Sequence, residues 1–165
     1  MNPLTAYRCT MYEADPHADW PELLTQAHAL VAGERDAIAN AANLSALLFA
    51  SLPEINWAGF YLLKDGALVL GPFQGKPACV RISLGKGVCG TAAQQRATVV
   101  VDDVHQFPGH IACDSASRAE IVVPLLRGDE VIGVLDVDSP QYARFGAQDR
   151  AGLEAIAALY VDASD

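Results

Sequence analysis

The chain has 165 residues, with 11 basic and 20 acidic side chains, a formal net charge of −9 and a hydrophobic share of 52%. That length sets one compact domain, burying about 70% of its unfolded-chain surface around a well-filled core. Its acidity works against a phosphate backbone as partner, no apolar run approaches the roughly 18 residues of a membrane span, and the opening residues lack a signal peptide's apolar core.

A soluble, cytoplasmic protein that binds neither nucleic acid nor membrane is therefore expected. Residues 1–18 carry no apolar period and read as an irregular arm; residues 19–165 read as one domain. Asp19, Pro21 and Glu22 make a helix-start signature. Leu23, Ala27, Leu30 and Val31 share the face of that helix, and Gly33 ends it. A second helix is predicted from about Glu34 to Leu52 on a stripe of Ile38, Ala41, Ala42, Ser45, Leu48, Phe49 and Leu52, stopped by Pro53. From Ile55 the period changes to two. INWAGFYLL and ALVLGPF flank Lys64, Asp65 and Gly66 as a hairpin, with Ile55, Trp57, Gly59, Tyr61 and Leu63 on one face. CVRISL is a third strand, GVCGTAAQQR a short helix entered through glycines, and ATVVVDDV a further strand. Gln106 to Ser117 form a polar loop. EIVVPLLR and EVIGVLDVD make a second hairpin about Gly128 and Asp129, and a closing helix runs from about Ala147 to Val161 through Leu153, Ile156, Ala157 and Tyr160. Two consecutive hairpins argue for an α+β fold, an antiparallel sheet with helices on one side.

Gly85, Gly87 and Gly90 match a dinucleotide fingerprint, but the segment to Ala97 is too short for a parallel crossover, so a tight turn is the better reading. His105, His110, Cys113, Asp102, Asp103 and Asp114 crowd one loop and invite a zinc reading. Only half a site has ligand spacing, and solvated carboxylates with a turn histidine explain most of it. The cysteines Cys9, Cys79, Cys89 and Cys113 contain no Cys-x-x-Cys pair and no secreted framework. That leaves buried packing, metal ligation or working thiols. Cys113 sits in the polar loop, where packing cysteines are rare. Cys89 opens the short helix, whose free amides favour a thiolate, and Cys79 begins a strand. A loop thiol approached by a second one is what thiol redox chemistry needs. Asp136 and Asp138 project from one strand face, and Gly59 leaves open space between Trp57 and Tyr61.

INWAGFYLL, LGPFQGKPACVRI, GKGVCGTA, DVH with GHIACDS, EIVVPL and VIGVLDVDS, in this order, closely resemble the free methionine-(R)-sulfoxide reductases, which are single GAF domains. The resemblance runs from about Ala37 to the closing helix and makes residues 19–165 a single GAF domain with a GAF-type antiparallel sheet. It implies reduction of free L-methionine (R)-sulfoxide to methionine with electrons from thioredoxin, and no metal or organic cofactor. Cys113 matches the attacking thiol and Cys79 the resolving partner, with Cys89 sharing that duty in an unsettled division. Trp57, Tyr61, Glu120, Asp136 and Asp138 match the substrate pocket, Glu120 and Asp138 on its catalytic side. The chemistry itself wants such a set: a sulfoxide is attacked as its oxygen is protonated, clustered carboxyls supply the acid, and a remaining carboxylate holds an ammonium group. Oligomeric state is left open, a homodimer included.

A stand-alone GAF sensor that binds without turnover is the competing class. It is disfavoured because 165 residues leave no room for an output domain, and because a binding pocket has no need of three thiols. One conflict is visible. A regular ladder closed by a two-residue loop at Gly128 and Asp129 puts Glu120 opposite Val137, facing away from Asp136 and Asp138. An irregularity between Glu120 and Glu130 is therefore expected, most naturally at Pro124, bringing Glu120 near Asp138. A three-residue loop, or Glu120 lying ahead of the strand, would serve as well.

Overall fold

The computed structural model describes residues 18–111 and 113–165. The expected arm, up to residue 17 and with Cys9, lies outside the described residues. Along the chain come α1 (Trp20–Val31), α2 (Ala37–Ser51), β1 (Trp57–Lys64), β2 (Ala67–Gly75), β3 (Arg81–Ser83), α3 (Gly87–Gln95), β4 (Val99–Val101), β5 (Ala119–Arg127), β6 (Glu130–Ser139) and α4 (Ala147–Ala163). Among the described residues no helix is long and apolar enough to cross a membrane.

Local chemistry sets the helix starts. The Asp19 carboxylate accepts the Glu22 amide at 3.1 Å and caps α1. Helix α2 begins at Ala37, later than the periodicity suggests, because the Asp36 carboxylate accepts the Ala39 amide at 2.8 Å. Glu34 is spent on the amides of Arg35 and Asp36. The buried face of α2 is also rotated from the expected stripe: Asn40, Ala41, Leu44, Ser45 and Leu48 are inside, while Ile38 is 53% and Phe49 39% exposed. Ser45 is tolerated there because its hydroxyl donates to the carbonyls of Ala41 and Pro72.

The strands form one antiparallel sheet in the order β3-β2-β1-β6-β5-β4. Both hairpins close on two-residue loops, with Lys64 paired to Ala67 and Arg127 to Glu130. The anticipated irregularity in the second hairpin is present, but on the other strand. Leu126 pairs with Val131 and Leu125 with Gly133, so Ile132 of β6 is the extra residue, whereas Pro124 pairs regularly with Val134. A bulge fits at Ile132 because Gly133 follows: a Cβ there would lie 2.2 Å from the Tyr61 carbonyl oxygen. The resulting parity sets Glu120 directly opposite Asp138.

Helices cover both faces rather than one. On the first, α1, α2 and α4 pack Leu23, Leu44, Leu48, Leu153 and Ile156 against Phe60, Ile121, Val123, Leu135 and Val137 of the strands. Burial of such side chains contributes about 1.5–3 kcal/mol each. Ile55 joins this core, not the face of Trp57, because it lies ahead of β1. On the second face sits α3, with Val88, Cys89, Ala92 and Ala93 against Trp57, Tyr61, Val122 and Val134. One helix covers less of the sheet than three, and the loops before β3 and β5 wall the remaining cleft.

Candidate active site

The cleft floor follows from the ladder. Trp57 pairs with Asp138 and Asp138 with Glu120, so an aromatic ring and two acids run in a row across β1, β6 and β5. Asp136 pairs with Gly59 one step along the same face. Gly59 does not leave open space: a Cβ there would lie 2.3 Å from Phe73 Cβ and 2.8 Å from Trp57 Cη2. It is the absence of a side chain that lets Trp57 stack on Phe73 with ring centroids 5.2 Å apart.

Two aromatic donors fix the segment that leads to Cys79. Trp57 Nε1 donates to the Lys76 carbonyl at 3.1 Å, and Tyr61 Oη donates to the Cys79 carbonyl at 2.9 Å. Cys79 therefore stands in the loop before β3 and not on the strand, since its carbonyl is turned inward to a side chain. Across the mouth, Cys79 Sγ and Cys113 Sγ are 2.6 Å apart, and the Cys79 amide donates to Cys113 Sγ at 3.4 Å. Cys113 is exposed and Cys79 half-buried. Cys89, in the first turn of α3, is buried deeper, with Sγ 3.3 Å from Asp136 Oδ2 and 3.9 Å from Glu120 Oε1.

Burial dominates the electrostatics. It pushes Glu120, Asp136 and Asp138 well above the ordinary carboxylate range, and mutual repulsion adds to it: Asp138 acts on Glu120, Glu120 on Asp136, and Asp136 on Asp138. The Cys113 thiol is pushed up to about 12, by burial first and by the Cys79 thiol next. Cys89 is also raised, by burial and then by Asp136 and Glu120. A thiolate favoured by the helix N-terminus is thus not what α3 holds; desolvation beside two acids outweighs the helix amides. The cleft is acid-rich and proton-loaded, and Asp136 Oδ1 is buried with no hydrogen-bond partner. A ligand that brings several N–H donors would satisfy it. Cys89, Glu120 and Asp136 offer ligand atoms within 4.8 Å of one another and could hold an ion, though binding would have to displace their protons.

The loop residues of the zinc reading separate. His105 turns to Asp103 at 3.1 Å, and Asp114 accepts from Lys76 Nζ at 3.3 Å and from Asn56 Nδ2 at 3.2 Å. Asn56 also donates to Ser117 Oγ at 3.1 Å, so the loop bearing Cys113 is tied to the start of β1 and the end of β2. Asn56, Lys76 and Asp114 were not legible as site-builders, because their partners are distant in sequence. His110, weighed in the sequence with Cys113 as half of a zinc site, lines the cleft with Nε2 3.6 Å from Glu120 Oε2. Its place in GHIACDS beside Cys113 was the available signal. The glycines of GKGVCG serve as the expected tight turn, Gly85 and Gly87 both having positive φ.

Fold and cleft together define a GAF domain whose ligand pocket is walled by thiols and acids, and the GAF domain model matches residues 40–164. The chain is 56% identical to the free methionine-R-sulfoxide reductase of Escherichia coli K12 over 79% of each chain. The free methionine-R-sulfoxide reductase of Neisseria meningitidis, solved in complex with its substrate, superposes with a TM-score of 0.84 at 46% identity, over 87% of both chains. A Burkholderia vietnamiensis structure put forward as a GAF sensor protein is 62% identical over 88% of this chain and 92% of its own, with a TM-score of 0.84. The chain belongs to the GAF domain family and, within it, to the free methionine-R-sulfoxide reductases, which are oxidoreductases.

Proposed function

We propose that the substrate is free L-methionine (R)-sulfoxide and that Cys113 and Cys79 supply the two electrons that reduce it. The observation that carries the proposal is the 2.6 Å approach of their sulfurs at the mouth of a cleft floored by three acids. Cys113 Sγ attacks the sulfoxide sulfur as a neutral carboxyl, Glu120 or Asp138, protonates the oxygen, and the thiol's own proton passes to the acid cluster to replace the one given up. Methionine leaves, and the oxygen stays on Cys113 as a sulfenic acid. Cys79 then attacks Cys113, expels the oxygen as water and closes a disulfide. Two thiols lose one electron each and the sulfoxide gains two, so no cofactor is needed. Thioredoxin reopens the disulfide.

Trp57 and Tyr61 wall in the methyl group, and Asp136 takes the ammonium group of the amino acid. The family membership supports this reading, and so does the unsatisfied Asp136 oxygen. Residues 19–165 act as a single GAF domain, alone or in a homodimer. A cytoplasmic setting fits thiols that must be kept reduced between turnovers. The sensor reading has the likeness to the Burkholderia protein in its favour, but leaves the closed pair of thiols without a task. An assay with thioredoxin and its reductase on separated sulfoxide isomers tests the proposal. Consumption of the free (R) isomer alone is expected, and binding without consumption would establish a sensor.

A further inference from the structure

The proposed reaction consumes two thiols, yet a third lies in the cleft, buried and without a task. Cys89 stands in the first turn of α3, a turn pressed so closely on β3 that a Cβ at Gly90 would lie 2.3 Å from the Ser83 carbonyl oxygen. Its Sγ is held against acids and not against sulfur: Asp136 Oδ2 is at 3.3 Å and Glu120 Oε1 at 3.9 Å, whereas Cys79 and Cys113 are in contact with each other. Asp136 is only 6% exposed, and of its two oxygens one faces Cys89 while the other, Oδ1, has no partner. A buried carboxyl with one oxygen fixed and the other empty has a defined direction in which to receive a donor. A carboxyl free to rotate would present either oxygen and bind less well.

Resting on the reading of Asp136 as the ammonium site, we propose that Cys89 is a positioning residue and not a redox thiol: its S–H is donated to Asp136 Oδ2 and turns Oδ1 toward the substrate ammonium. Electron balance agrees, since sulfoxide and two thiols give sulfide, one disulfide and water, with the Cys89 thiol unchanged.

The test compares Cys89→Ala, which removes the donor, with Cys89→Ser, which keeps one. KM and kcat are measured on free methionine (R)-sulfoxide with the thioredoxin system, and thiols are counted after a single turnover. Loss of one hydrogen bond to the Asp136 carboxyl predicts a KM raised up to about tenfold in Cys89→Ala with kcat little changed. Cys89→Ser should recover most of that loss, and both variants should still lose two thiols per chain. Cys89→Val, which removes the donor while filling the space, serves if the alanine variant does not fold. A folded serine variant that turns over once and is not recycled would make Cys89 a redox thiol and overturn the proposal. An unchanged KM in a donor-less variant would overturn it equally. A Cys79→Ser variant that closes a disulfide between Cys113 and Cys89 would overturn the Cys89 proposal together with the assignment of the resolving thiol, whereas an unchanged KM in Asp136→Asn would refute the ammonium site on which the proposal rests.

Discussion

Gly59→Ala should weaken both the fold and the site. The added Cβ would lie 2.3 Å from Phe73 Cβ, 2.8 Å from Phe73 Cα and 2.8 Å from Trp57 Cη2. The first two contacts are with atoms fixed to the β2 backbone, so no rotation of Phe73 relieves them. Either the β1–β2 ladder opens at Gly59, or the Trp57 ring lifts from its stack. Overpacking of this kind costs about 1–3 kcal/mol, and for a domain of this size each kcal/mol lowers Tm by about 2–4 °C. The functional consequence runs through Trp57 Nε1, which holds the Lys76 carbonyl and with it the segment carrying Cys79. Thermal unfolding by circular dichroism should therefore show a lower Tm. Single-turnover mixing should show slower closure of the Cys79–Cys113 disulfide, together with a raised KM. A variant with wild-type Tm and wild-type closure would refute the view that this glycine is required by close packing.

Cys113→Ser should abolish turnover with the circular dichroism spectrum unchanged, and Cys79→Ser should permit one turnover that thioredoxin does not renew; multiple turnovers in either would remove its assigned role. Methionine (R)-sulfoxide with an acylated nitrogen brings no ammonium to Asp136 and forfeits that charge-assisted contact, a loss of about 1.5–3 kcal/mol or roughly tenfold upward in KM. Comparable rates on free and acylated substrate would sink the pocket assignment. The pH dependence of stability follows from the raised acids: Glu120, Asp136 and Asp138 titrate higher folded than unfolded, so the folded state binds more protons. Their contribution is present below about pH 4, the ordinary carboxylate value, and is lost as pH rises through the raised folded values. Glu120→Gln should accordingly flatten the fall of Tm between pH 4 and 8 relative to wild type, and parallel curves would contradict the buried-acid account.

The order of elements was legible because each apolar period is clean and each break is marked by Pro, Gly or a capping acid. Cys79, Cys113 and the acids were legible as a set only through the motifs that carry the family resemblance. Parity arithmetic, set against the pocket the resemblance implies, then called for an irregularity in the ladder, with a three-residue loop or Glu120 ahead of the strand as the alternatives. The location of the irregularity was missed because Pro124 was weighed as a poor donor, while the decisive contact, the Tyr61 carbonyl against Gly133, is made across to a third strand. The same limit hid the face of α2, where Asn40 is buried by a hydrogen bond to Ser164 far along the chain. It also hid the deep burial of Cys89: a helix N-terminus is visible in sequence, but the two acids beneath it are brought there by β5 and β6.

The pairing of Cys113 with Cys79 as the reducing thiols is open to direct measurement. The fully reduced protein is mixed with one equivalent of free L-methionine (R)-sulfoxide without thioredoxin, quenched by alkylation and mapped by peptide mass spectrometry. One equivalent of methionine, two thiols lost per chain and a Cys79–Cys113 disulfide are predicted. A disulfide joining Cys113 to Cys89, or full retention of thiols with substrate bound and unreduced, would contradict the account.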